Sequence, residues 1–243
     1  FRFRHFSVED GLSSNSVRAI MQDKYGFLWI GTEEGLNRYD GIMIKSYSIC
    51  PQAAGKYISS LYGTKKNIWI GTDEGIYIYA YATETFTYFD LTTPNNVRIT
   101  SIVNHILQDK DGNLWFSTNG QGLFRYNLSK NYLEQYEFTS AFGIVASTMA
   151  DSDNQIWALT NQGESGVYKL NKAENKFEPF GLLYNAGNHH SQALAMLEDS
   201  EQTLWLGTWE CGLQKIDKST RQTTTFLHPT DGKGVTHIHS LME

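Results

Sequence analysis

Apolar residues in this 243-residue chain come in short runs separated by glycine, asparagine and aspartate turns. Five runs read alike: Gly26-Phe27-Leu28-Trp29-Ile30-Gly31-Thr32, Asn67-Ile68-Trp69-Ile70-Gly71-Thr72, Gly112-Asn113-Leu114-Trp115-Phe116-Ser117-Thr118, Asn154-Gln155-Ile156-Trp157-Ala158-Leu159-Thr160 and Gln202-Thr203-Leu204-Trp205-Leu206-Gly207-Thr208. Their tryptophans lie 40, 46, 42 and 48 residues apart. That period suits helical HEAT or armadillo repeats as well as propeller blades, so local chemistry has to decide. Each tryptophan sits among β-branched or aromatic residues bounded by turn formers, and no stretch sustains a capped helical period. Each period therefore divides into short strands, in the first at about 16–22, 27–32, 36–39 and 43–47. Asp23-Lys24-Tyr25-Gly26 is a tight-turn sequence between the first two, and it returns as Asp109-Lys110-Asp111-Gly112.

Leu28-Trp29-Ile30 is apolar on successive residues, which buries both faces of its strand. Sheets stacked face to face between two neighbours meet that demand. The expected fold is all-β: a β-propeller with five complete four-stranded blades at about 16–48, 57–89, 102–138, 144–180 and 192–227. The recurring tryptophans are expected as core between blades. Residues 1–7 resemble the outer strands and 235–243 the inner ones, so a partial strand of an incomplete blade is expected at each end. The domain is thus expected to be truncated from a larger ring.

Composition narrows the field a little further. A net charge of −6, with no basic run, argues against a nucleic-acid surface. No apolar window is long enough to span a membrane, and residues 1–6 alternate as a strand does, unlike a signal peptide. A secreted or membrane-anchored parent stays open. Cys50 and Cys211 are too few for a disulfide framework and read as two ordinary thiols or one bond.

The pattern around each tryptophan, Asn/Asp-x-Leu/Ile-Trp-Ile/Leu/Phe-Gly-Thr-x-x-Gly-Leu/Ile, resembles the two-component regulator propeller family. Its clearest instance is 26–40, preceded by Glu9-Asp10-Gly11-Leu12-Ser13. The fourth repeat departs from it: Ala158-Leu159 replaces the glycine position, and Gly163-Glu164-Ser165-Gly166 lengthens the hairpin. The resemblance implies the extracytoplasmic, periplasmic propeller of an inner-membrane hybrid sensor, with rings of seven blades outside and a histidine kinase inside. It also implies detection of a glycan-derived oligosaccharide and control of polysaccharide-utilisation genes.

In a propeller the loops joining second to third strands surround the central channel. Here they vary while the strands agree, as a binding rim would. Glu33, Glu34, Asp73, Asn119, Gln121, Trp209 and Glu210 are the candidate ligand-binding residues. Carboxylates and amides hydrogen-bond sugar hydroxyls, and Trp209 offers a ring face outside the repeated column. Solvated polar loops are the competing reading. Asp109-Lys110-Asp111-Gly112-Asn113 resembles half of a calcium loop but lacks its terminal glutamate, and the spacing of His105, His189, His190, His237 and His239 matches no zinc motif. No metal, cofactor or catalytic residue is expected. Three functions compete: a sensor module, a propeller enzyme of the streptogramin-lyase or lactonase kind, and a protein-interaction scaffold. The expected partners are the oligosaccharide, the remaining blades and domains of the parent, and a possible second copy in a homodimer. No direct contact with nucleic acid or membrane is expected of this segment.

Overall fold

A computed structural model describes residues 4–49, 56–138, 143–160, 166–182, 192–209, 212–227 and 237–242. Their contacts gather the chain into two compact units, 1–106 and 107–243. Apart from a single 3-10 turn at Val8–Asp10, regular structure among the described residues is extended. Five four-stranded sheets follow one another in sequence, each ordered as its strands occur in the chain.

The first sheet holds β1 (Val17–Gln22), β2 (Leu28–Thr32), β3 (Gly35–Tyr39) and β4 (Ile44–Tyr47). The second holds β5 (Ile58–Gly63), β6 (Asn67–Thr72), β7 (Gly75–Ala80) and β8 (Thr85–Tyr88), and the third β9 (Val103–Gln108), β10 (Leu114–Thr118), β11 (Leu123–Asn127) and β12 (Tyr132–Tyr136). The fourth is β13 (Val145–Ala150), β14 (Ile156–Thr160), β15 (Gly166–Asn171) and β16 (Lys176–Leu182). The fifth is β17 (Ala193–Glu198), β18 (Leu204–Thr208), β19 (Leu213–Ile216) and β20 (Thr223–Leu227). Residues 4–7 and 237–242 belong to no strand of these sheets, although strands at 1–7 and 235–243 follow from the repeat. At the start the reason is local: Ser7 and Asp10 close a capping box that turns the chain into the 3-10 segment.

The turn after each inner strand explains itself residue by residue. In the first sheet Asp23 N–H donates to Phe27 O and Gly26 N–H to Asp23 O, a tight hairpin whose last position has positive φ. Gly26 and Gly112 take that conformation freely; Asn154 and Gln202 take it in the fourth and fifth sheets. Four inner strands also carry the same irregularity in register one residue in: between Val17 and Ala19, Ile58 and Ser60, Val145 and Ser147, and Ala193 and Ala195. Such a bulge bends the strand and raises its local twist.

Second strands are buried on both faces, as the successive apolar residues demand. Trp29, Trp69, Trp115 and Trp157 are closed off from solvent, and Trp205 is half-buried. In the first unit Trp29, Leu36, Ile58, Ile68, Ile70 and Tyr79 form one cluster. In the second, one cluster joins Trp115 with Val145, Ile156 and Tyr168, and another joins Trp157 with Leu159, Ala193 and Leu206.

The repeat's glycine marks where one sheet meets the next. A Cβ on Gly31 would lie 2.5 Å from Ile58 Cγ2, one on Gly71 would lie 2.9 Å from Val103 Cβ, and one on Gly207 would lie 2.7 Å from Ile238 Cγ2. Ile58 and Val103, each the first residue of the following inner strand, and Ile238 thus fill the space the glycines leave. In the fourth repeat the sizes are exchanged: Leu159 stands at the glycine position and Ala193, the residue equivalent to Ile58, is small. The third repeat is intermediate, with Ser117 hydrogen-bonded to Thr148 at 2.6 Å.

Candidate ligand-binding rim

The hairpin joining second to third strand is held the same way in every repeat, by the threonine that ends the second strand. Thr32, Thr72, Thr118, Thr160 and Thr208 are fully buried. Each hydroxyl reaches the carbonyl at the start of the third strand: Gly35 at 3.1 Å, Gly75 at 3.0 Å, Gly122 at 2.6 Å, Gly166 at 3.5 Å and Gly212 at 2.9 Å. In the first three the hydroxyl also accepts a loop N–H, from Glu34, Glu74 and Gln121. The loop tips vary on a fixed clasp.

In the first unit Glu33 is half-buried and tied to Arg18 of β1, whose Nε donates to its carboxylate at 3.0 Å while the second guanidinium nitrogen also pairs with it. The bond from Arg18 holds the Glu33 carboxyl below its usual range and raises the arginine in turn. Glu34 and Asp73 are exposed. Glu74 beside Asp73 pairs with the buried Lys56, and its carbonyl accepts from Tyr88 at 3.0 Å. In the second unit Asn119 is exposed and bridges to Ile144, and Gln121, half-buried, lends its carbonyl to Gln135 at 2.9 Å. Trp209 is 41 % exposed and meets the His237 ring edge-on at 4.1 Å and His239 at 5.7 Å. Within each unit the candidate residues occupy equivalent hairpins, and among the described residues Trp209 gathers with the two histidines. Glu210, Cys50, Cys211, His189 and His190 lie outside the described residues. Among the described residues no three His, Cys, Asp or Glu side chains converge as metal ligands would.

One set of residues escaped the reading of the sequence. The aspartate six positions before the tryptophan accepts its indole N–H: Asp23 from Trp29 at 2.7 Å, Asp109 from Trp115 at 2.8 Å, Asp151 from Trp157 at 3.0 Å and Asp199 from Trp205 at 2.6 Å. Its other oxygen caps the turn, as Asp23 does for the N–H of Tyr25 and Phe27. A cation from the third strand lies over the same ring: Arg38, Arg125, Lys169 and Lys215 at 5.8, 5.6, 5.4 and 5.9 Å from the centroid. The second repeat has Gly63 and Ile78 in those places, so the aspartate and the cation change together. The regular six-residue interval is the signal that was available.

These groups line clefts between successive sheets, on the side of the β1–β2 type turns. The first, of about 220 Å³, lies between the first and second sheets and includes Phe27, Arg38, Tyr79, Tyr81 and Glu84. A second, of about 150 Å³, lies between the third and fourth and includes Arg125, Asn154 and Lys172. The equivalent place between the fourth and fifth is occupied by Lys218, which pairs with Asp151 at 3.1 Å and with Glu198.

Five consecutive four-stranded antiparallel sheets, each pivoting on a buried second strand, define a β-propeller of short repeats. Residues 11–34 and 96–120 match the model of the two-component regulator propeller family. A stretch of 52 residues, 21% of this chain, is 50% identical to histidine kinase P4 of Formosa agariphila and covers 4% of that protein. The extracellular domain of a hybrid two-component system protein of B. thetaiotaomicron superposes with a TM-score of 0.76 at 24% identity, over 92% of this chain and 32% of that one. Virginiamycin B lyase from Staphylococcus aureus superposes at 0.69 with 16% identity, over 88% of this chain and 71% of the lyase. The likeness to both solved structures is one of fold.

Proposed function

We propose that this chain is the ligand-sensing propeller segment of a hybrid two-component sensor, acting outside the inner membrane and turning over no substrate itself. The observation that carries the reading is the repeat: two stretches match two-component regulator repeats, and the relative matched over 52 residues is a histidine kinase. No helix among the described residues is long and apolar enough to cross a membrane, so signalling to a kinase would pass through other parts of the parent. The ligand is a glycan-derived oligosaccharide, the response is expression of polysaccharide-utilisation genes, and the parent acts with its remaining domains and a second copy of itself.

The site is the rim of Glu33, Glu34, Asp73, Asn119, Gln121, Trp209 and Glu210. Support comes from Trp209, a large half-exposed ring backed by His237 and His239 and able to stack on a sugar face. The carboxylate of Glu33 already answers Arg18, which leaves Glu34 and Asp73 as the open acceptors of the first unit. The test is calorimetry on the whole extracytoplasmic region with the oligosaccharide that the source organism needs the parent gene to use. Trp209→Ala is expected to weaken binding by about 1–3 kcal/mol, roughly fivefold to 150-fold. Unchanged affinity across a set of folded rim variants places the ligand elsewhere and sinks the reading of the site. Turnover of lactones, streptogramins or glycosides by the chain sinks the non-catalytic reading.

A further inference from the structure

We infer that the cleft between the first and second sheets is a binding site for a neutral sugar of monosaccharide size. It shares no residue with the rim and lies wholly within the first unit.

The argument starts from two polar atoms that the fold leaves unanswered. Arg38 Nε and the Tyr81 hydroxyl are both buried and both without a hydrogen-bond partner, and both residues line this cleft. The other sheets show that the framework can satisfy such groups. Arg125, in the place of Arg38, donates to Glu134 directly across the ladder at 2.6 Å, and Tyr136 donates to the same carboxylate at 2.9 Å. Across from Arg38 stands Lys45, which cannot accept. Lys218, three residues beyond the ladder partner of its tryptophan as Tyr81 is, reaches Asp151 and closes its own cleft. The first cleft thus combines an unanswered guanidinium Nε–H with an unanswered phenol. A buried donor without a partner is costly, so the arrangement calls for something to fill it.

The lining says what. Arg38 Nε–H requires an acceptor, and the exposed Glu84 carboxylate can accept from a donor. Burial, helped by the charge of Asp23, pushes the Tyr81 hydroxyl up to about 12, so at neutral pH it keeps its proton and can act either way. Hydroxyl groups answer all three because each both donates and accepts. The exposed Tyr25 offers aromatic surface for the C–H face of a ring. Asp23 and Glu84 balance Arg38 and the Lys24 ammonium, which sits over Tyr25 and Tyr81 at 4.7 Å from each centroid, so the site favours no net charge. A volume of about 220 Å³ is below that of drug-sized pockets and matches roughly seven waters, at about 30 Å³ each.

The test titrates the chain with the methyl glycosides of glucose, galactose, mannose, xylose and rhamnose, and with glucuronate as the charged arm, by calorimetry and by NMR. The expected result is one-to-one binding of at least one neutral glycoside. Tyr81→Phe and Glu84→Gln should each weaken it about tenfold without lowering Tm, while Trp209→Ala leaves it intact. Binding of none of the five, binding indifferent to both cleft substitutions, or binding of glucuronate alone each overturns the proposal. The independence from Trp209 separates its failure from that of the rim.

Discussion

Leu159→Gly and Ala193→Ile, made singly and together, test whether sheets are fitted to one another by the exchange of size at the glycine position. Leu159 is 1% exposed, and its four side-chain carbons contribute roughly 3 kcal/mol at about 0.8 kcal/mol each. An unfilled cavity and a glycine inside a strand bring the expected loss to about 4 kcal/mol for Leu159→Gly. Ala193 is fully buried in the same cluster, so Ala193→Ile alone overpacks it and costs about 1–3 kcal/mol. The double variant recreates the arrangement of Gly31 with Ile58 and should lie within about 2 kcal/mol of the parent, a coupling of at least about 3 kcal/mol. Urea unfolding followed by tryptophan fluorescence and far-UV dichroism gives the four stabilities. If the double variant loses the sum of the two single losses, within about 0.5 kcal/mol, the sheets are not fitted through this pair and the reasoning fails.

Three further outcomes follow from the same contacts. Asp199 is held below the usual carboxylate range by Trp205 and by the N–H groups of Thr203 and Glu201, and at Asp151 burial opposes the charge but Trp157, Gln155 and Lys218 outweigh it. Depressed values mean that this stabilisation is present above the unfolded value near about 3.9 and is lost as pH falls through the lower folded ones; a Tm profile should fall on its acid side, and Asp199→Asn should flatten that limb. Lys218→Met leaves Asp151 and Glu198, 3% and 10% exposed, without their cation, and should cost about 1–3 kcal/mol in urea while raising the Asp151 value seen by NMR. Thr32→Val removes a buried hydroxyl that serves Gly35, Glu34 and Ser13, and should cost about 1–3 kcal/mol and speed amide exchange at Glu34; unchanged exchange would deny the clasp its role.

Strands were legible because their cause is local. Leu28-Trp29-Ile30 demands burial on both faces, and Asp23 to Gly26 demands a turn, so the first sheet lies within a residue of where those demands put it. The partners of the strands' side chains were not legible, because the turn brings Asp23 back over Trp29 and the ladder sets Arg38 beside it only once the fold exists. The rim suffered from the same blindness. Glu33 reads as an open carboxylate until β1 and β2 pair and bring Arg18 to it. Trp209 was recognisable as lying outside the repeated column, but its pairing with His237 joins residues far apart in sequence.

The six tryptophans consequently divide into two optical populations. Five stand in the repeated column, four of them with the indole N–H bound to a carboxylate and a cation over the ring, so their emission should stay constant as long as the sheets are intact. Trp209 stands apart, half in solvent at the hairpin tip. A ligand on the rim would shift a single emitter against a fixed background, whereas one in the cleft beside Trp29 would disturb a member of the column. Wavelength-resolved emission, compared with that of Trp209→Phe, can therefore tell in which of the two places a molecule has arrived, without any added label.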